Sequence, residues 1–152
     1  MIRVLFVCLG NICRSPMAEC IFKQMVAKRG LTEQFYINSA ATSTEEWGNP
    51  IYPPARRKLQ EMGVPLTDHR AVQMMAGDYA RYDLLIGMDG NNLRAMRRIA
   101  GGDPDGKLHR LLDYTDAPGD VADPWYTDDF DAAYDDISRG CQALLDHLTN
   151  TK

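Results

Sequence analysis

The run from Ile2 to Val7 is almost continuously apolar, broken only by Arg3, and it narrows the admissible architectures at once. A strand-length apolar stretch without alternation belongs in a parallel sheet covered on both faces, not in a sheet with one face in water. It leads directly into Cys8. After a short loop, Ser15 reads as an N-cap with Pro16 at the first helical position, and Ala18, Ile21, Phe22, Met25 and Val26 recur at helical spacing until Gly30. A buried strand, a tight loop and a helix must then be repeated to build the sheet.

The repetition is visible. Tyr36 to Ala40 reads as a second strand, and Pro53-Pro54 precede a helix from Ala55 to Met62 that Gly63 ends. Leu84 to Met88 is a third strand, Asn91 to Ala100 a basic helix closed by Gly101-Gly102, and Leu108 to Leu112 a short fourth strand. From Phe130 onward, Ala133, Tyr134, Ile137, Cys141, Leu144, Leu145 and Leu148 form one apolar stripe of a closing helix. Strands alternating with helices predict an α/β fold: one open, four-stranded parallel sheet with helices on both faces, flavodoxin-like, joined by right-handed crossovers. At 152 residues, with no linker or internal repeat, the chain reads as a single domain over 1–152. Ligands of such sheets bind beyond the carboxyl ends of the strands, which makes the loop after the first strand the expected site.

Composition removes other classes. A net charge of −4 argues against sequence-independent binding to nucleic acid, where Lys and Arg must neutralise phosphates. The longest apolar run, Val4 to Leu9, is far short of the ~20 residues that span a bilayer, and no small-residue cleavage site follows it. No membrane association is expected, and the location expected is cytoplasmic. The four cysteines, Cys8, Cys13, Cys20 and Cys141, are then expected to stay reduced. No metal site is expected, because there is no C-x2-C pair, the three histidines are scattered, and the nine aspartates between Asp113 and Asp136 contain no D-x-D-x-D-G pattern.

The segment Cys8-Leu9-Gly10-Asn11-Ile12-Cys13-Arg14-Ser15 joins the end of a buried strand to the start of a helix, where free backbone N–H groups and the helix dipole attract an anion. Gly10 and Asn11 tolerate positive φ, so the chain can curl until several N–H groups share one focus. A cysteine at that focus, beside an arginine, is favoured as the thiolate, the nucleophilic form. Arg14 can lay its planar fork on two oxygens of one phosphate, and Ser15 can donate its hydroxyl to the sulfur. Cys13, in the same curled loop, is expected to capture an oxidised Cys8 as a disulfide.

At these residues the chain resembles the low-molecular-weight protein tyrosine phosphatases. The resemblance begins with Val7 to Pro16 and Met17-Ala18-Glu19, and continues through Asn38 to Ser43 and Asp68-His69-Arg70-Ala71. It resumes at Tyr82-Asp83, Met88-Asp89 and Asp123-Pro124-Trp125-Tyr126, and so covers nearly the whole chain. It implies Cys8 as nucleophile, Arg14 as phosphate clamp and Asp123 as general acid and base. Asn11, Ser15, Ser39 and His69 would support the loop, while Leu9, Gly10, Asn11, Ile12, Cys13 and Ser15 meet the substrate. It implies no cofactor, phosphotyrosine proteins as substrates, and a cognate tyrosine kinase as the opposing partner. Pro124 would hold Asp123 extended over the loop. Asp120 is the rival acid, without the proline and aromatic neighbours. Trp125 and Tyr126 are expected as one wall of an aromatic slot and Trp47 as the other, although Thr44 to Pro50 departs from the tryptophan placement of some members.

Two enzymatic alternatives share the fold. A thiol-redox enzyme such as an arsenate reductase needs mobile resolving thiols, whereas Cys20 and Cys141 are placed inside helices. A protein-arginine phosphatase is the nearer competitor; by the resemblance, a Thr stands there where this chain has Ile12. A binding module without catalysis would be expected to lack Cys8 or Asp123, and both are present.

Overall fold

The computed structural model describes residues 1–149. Strand β1 (Ile2–Cys8) lies between β2 (Phe35–Ala41) and β3 (Leu84–Gly87), and β4 (Leu108–Arg110) extends the sheet beyond β3. All four strands are parallel, in the order β2-β1-β3-β4. The apolar run of β1 is covered on both faces, as the sequence pattern predicts. Val4, Phe6 and Cys8 join a core with α1 (Arg14–Lys28), α2 (Pro53–Glu61) and α6 (Phe130–Thr149). Leu5 and Val7 join a second core with α3 (Asp78–Arg81) and α4 (Gly90–Ala100). Phe6, Phe22 and Phe35 meet edge to face at centroid distances of 5.5 and 5.7 Å and bind strand to helix in the larger core.

Several local expectations are corrected. Ser15 is not the cap of α1: the helix begins at Arg14 with Cys13 at the N-cap and no side-chain capping bond, because the Ser15 hydroxyl is used inside the loop. Helix α1 is also buried all round from Arg14 to Phe22, between the sheet and α6. The fourth strand stops at Arg110, and Leu111–Tyr114 tighten into a 3-10 turn against α6. There, a Cβ on Gly140 of α6 would stand 2.5 Å from Leu111 Cγ. The brief helices α3 and α5 (Pro124–Thr127) and the 3-10 turn Thr32–Gln34 were not anticipated.

The strand order positions the site. From β1 the chain crosses to β2, whereas β3 lies on the other side of β1. The loops leaving β1 and β3 therefore diverge and open a crevice at the carboxyl end of the sheet. Among the described residues no helix is long and apolar enough to cross a membrane.

Candidate active site

Cys8 ends β1 and is buried. Asn11 takes φ 59°, the left-handed region that Gly and Asn enter most readily, and the chain curls back over the sulfur. The backbone N–H groups of Asn11 and Ser15 then point at Cys8 Sγ from 3.3 and 3.4 Å, and Ser15 Oγ lies 3.0 Å away.

The direction of that last contact is set by a buried chain of hydrogen bonds. Val72 N–H donates to Asn11 Oδ1 at 3.1 Å, which fixes the orientation of the amide. Asn11 Nδ2 then donates to Ser15 Oγ at 2.8 Å and to Ser39 Oγ at 3.0 Å. The Ser39 hydroxyl donates to Glu19 Oε1 at 2.6 Å, and Lys23 Nζ balances Glu19 from 2.6 Å. Having accepted from Asn11, the Ser15 hydroxyl keeps its single proton for Cys8; its other acceptor, Ala40 O, is 3.4 Å away. Three donors thus face one sulfur, an arrangement that favours negative charge on it. His69 Nε2 holds the loop from outside, 2.7 Å from Asn11 O.

Arg14 is 2% exposed. Its Nη1 donates to Asp89 Oδ2 at 2.8 Å and to Val121 O at 2.7 Å, while Nη2 lies 3.5 Å from Asp123 Oδ2. Burial disfavours the guanidinium charge, but Cys8, Asp123 and Asp89 outweigh it and push the Arg14 pKa up. With both Nη1 protons committed and Nη2 only loosely engaged by Asp123, the Nε–Nη2 edge is the part of the fork least tied down. Asp123 is the N-cap of α5, in extended backbone at φ −80° and ψ 111°, and its Oδ1 accepts from Trp125 N–H at 3.1 Å. Its neighbour Asp120 points elsewhere, tying Gly90 N–H at 3.0 Å to Arg110 at 2.8 Å.

The cleft over the sulfur has the loop as its floor, lined by Leu9, Gly10, Ile12, Cys13 and Arg14. Asp123, Trp125 and Tyr126 stand on one side and Glu45 and Glu46 complete the lining. Trp47 does not line it: three-fifths of its surface is exposed, because the turn after β2 presents the two glutamates instead. Asn11 and Ser15 are fully buried, so they lie beneath the cleft and their side chains serve the loop. Cys13 faces the same cleft as Cys8. Burial, then the charges of Cys8 and Asp123, push its thiol far up, which keeps it protonated.

A strand-end thiol in a cradle of N–H groups, with a buried arginine and a carboxylate above it, is the geometry of a cysteine-based phosphatase. A family model described as low molecular weight phosphotyrosine protein phosphatase matches residues 3–152. This chain belongs to that family. Among low molecular weight phosphatases, YfkJ of Bacillus subtilis is 39% identical over 154 residues, covering 100% of this chain and 99% of that protein. The crystal structure of YfkJ superposes with a TM-score of 0.96 over 100% of this chain and 97% of its own. The human low molecular weight phosphotyrosine protein phosphatase is 37% identical over 94% of this chain and 93% of its own. A Drosophila arginine phosphatase of known structure is 30% identical, with a TM-score of 0.88 over 98% of this chain and 99% of its own. Fold alone therefore does not separate the two substrate chemistries.

In this low molecular weight phosphatase three contributors escaped the sequence reading. Asp89 accepts from Asn92 N–H at 2.7 Å with Oδ1, capping α4, and holds Arg14 with Oδ2; its spacing to Asn92 was the available signal. Tyr52 packs on Trp125 at 4.8 Å between centroids and donates its backbone N–H to Ile12 O at 2.8 Å. Glu19, buried between Ala18 and Cys20 in α1, anchors the buried chain of hydrogen bonds.

Proposed function

We propose that this protein hydrolyses phosphotyrosine in proteins through a cysteinyl-phosphate intermediate. The observation that carries the reading is the convergence of two backbone N–H groups and the Ser15 hydroxyl on Cys8 Sγ, with Arg14 and Asp123 in the same cleft. In the first step Sγ attacks phosphorus in line, forming the S–P bond as the P–O bond to the phenol breaks. Arg14 Nη2 and the loop N–H groups hold the equatorial oxygens where charge collects. Asp123, protonated at this stage, gives its proton to the departing phenolate. In the second step Asp123 takes a proton from water, the hydroxide oxygen bonds to phosphorus, and the S–P bond breaks to return the thiolate.

Phosphotyrosine is favoured over phosphoarginine by Ile12, which lines the cleft with methyl groups only. The Ile12 methyls offer no acceptor to the N–H donors of a bound phosphoguanidinium, and a donor left unpaired costs ~1–3 kcal/mol. The opposing enzyme would be a tyrosine kinase. The test is kcat/KM on matched phosphotyrosine, phosphoserine and phosphoarginine peptides without added metal. Phosphotyrosine is expected to lead phosphoarginine by at least about tenfold. Preference for phosphoarginine would overturn the substrate assignment, and turnover by Cys8→Ser at the wild-type rate would overturn the mechanism.

The same cleft supports a protective role for Cys13. Peroxide converts the Cys8 thiolate to a sulfenic acid, and the Cys13 thiol displaces water from it to form a disulfide. After a peroxide pulse and added dithiol, wild type is expected to recover more activity than Cys13→Ser; equal recovery removes the role.

A further inference from the structure

We propose that Glu45 and Glu46 make this enzyme select phosphotyrosines flanked by lysine or arginine. The inference rests on the phosphatase reading above and deepens it by naming the substrate class.

The two glutamates lie in the turn after β2 and line the cleft. Glu46 is not a freely waving surface acid. Its stem crosses Gly10, with Cγ 3.3 Å from where a Cβ on that glycine would stand, and its Oε2 accepts from Asn49 Nδ2 at 2.6 Å. The carboxylate is therefore fixed beside the phosphate loop. Neither glutamate is ion-paired among the described residues. The charge of Glu46 also reaches the loop, where it is one of the groups that raise the Cys13 thiol after burial, Cys8 and Asp123.

The charges lining this cleft are an unusual set for an anion-binding site. Among the described residues Arg14 is the one cation of the lining, already bonded to Asp89, against Glu45, Glu46 and Asp123. Deep in the cradle, backbone N–H groups and Arg14 answer the phosphate. The glutamates are left facing whatever accompanies it. The tyrosine ring spans the cleft and brings the flanking residues to the rim, where a basic side chain meets a fixed carboxylate. Trp125, half exposed, and Tyr126, more than three-quarters exposed, offer that cation aromatic faces as well. An acidic flank meets repulsion from the two glutamates.

Each contact is a weak surface pair, so two together are worth about three- to tenfold in kcat/KM. The experiment compares three phosphotyrosine peptides identical except for lysine, glutamine or glutamate on both sides, with p-nitrophenyl phosphate as a flankless control. The expected order is lysine over glutamine over glutamate, with a lysine-to-glutamate ratio of about tenfold or more. The ratio is expected to shrink severalfold in 0.5 M NaCl, where screening shortens the reach of exposed charges. In Glu45→Gln/Glu46→Gln, with each peptide rate divided by that variant's own p-nitrophenyl phosphate rate, the ratio is expected to fall at least threefold. The single Glu45→Gln, at an exposed position, gives the same reading if the double variant is unstable. Equal rates on the three peptides, or a ratio unchanged by the substitutions, overturn this inference and leave the phosphatase intact. No turnover of any peptide or of p-nitrophenyl phosphate would instead overturn the function on which it rests.

Discussion

Asp123 divides its two oxygens between its own helix and the phosphate loop: Oδ1 accepts from Trp125 N–H while Oδ2 faces Arg14. It is thus aimed, and its proton is expected to matter in proportion to how badly the leaving group needs one. Tyrosine leaves as a phenolate of pKa ~10, and general-acid help is worth ~10²–10⁴, so Asp123→Asn is expected to slow phosphotyrosine cleavage by about that factor. On dinitrophenyl phosphate, whose anion leaves unaided, the loss is expected to be less than about tenfold. Equal losses on both substrates would remove Asp123 from the role. At this scale the sequence was most legible where chemistry is local: Cys8 and Arg14 are tied to one loop, and their place at a strand-to-helix junction with Gly10 and Asn11 between them predicts an anion cradle. Asp89 was not legible, because its importance comes from a contact across 75 positions. Trp47 shows the converse. An aromatic near a predicted slot is an attractive wall, but the backbone of a short turn decides which of three neighbouring side chains faces inward, and that decision leaves no periodic trace.

Elements were legible in proportion to their length. The stripe from Phe130 to Leu148 is long enough to show a helical period and β1 long enough to show a continuous apolar run, whereas α3 and α5, at four residues each, are shorter than the pattern that would reveal them. What no pattern shows is the close approach of elements. Glycine in a helix interior normally costs ~1 kcal/mol against alanine, so Gly140 in α6 invites replacement. Leu111 forbids it: the added methyl would lie 2.5 Å from Leu111 Cγ, with Leu111 fully buried. Gly140→Ala is therefore expected to destabilise the protein by about 1–2 kcal/mol, overpacking outweighing the propensity gain. Urea denaturation measures it, and a stability gain would show that the 3-10 turn yields.

For the whole molecule, parallel strands, helices on both faces and a flavodoxin-like sheet were the expectation, and the observed order β2-β1-β3-β4 is that arrangement. Stability against acid is also a property of the assembled sheet. Burial alone would raise the Asp103 carboxyl, but the Tyr79 hydroxyl, the Lys107 and Leu108 N–H groups and the charge of Arg97 hold its pKa below the ordinary 3.8. A carboxylate depressed in the folded state stabilises it above the unfolded pKa, and that contribution disappears as pH falls through the folded value. Asp103→Asn is expected to lower the denaturation midpoint at pH 7, with the gap to wild type closing below about pH 4. A gap independent of pH would mean that the ionised form is not what matters. Arg14, last, carries a consequence for descent. A cation 2% exposed is held by Asp89 and Val121 O together with Asp123 and the charge of Cys8, and stripping the tightest partner from such a buried pair costs ~3–5 kcal/mol. A lineage cannot shed Asp89 first and keep a sound scaffold; inactive descendants would have to surrender Arg14 before, or together with, its carboxylate.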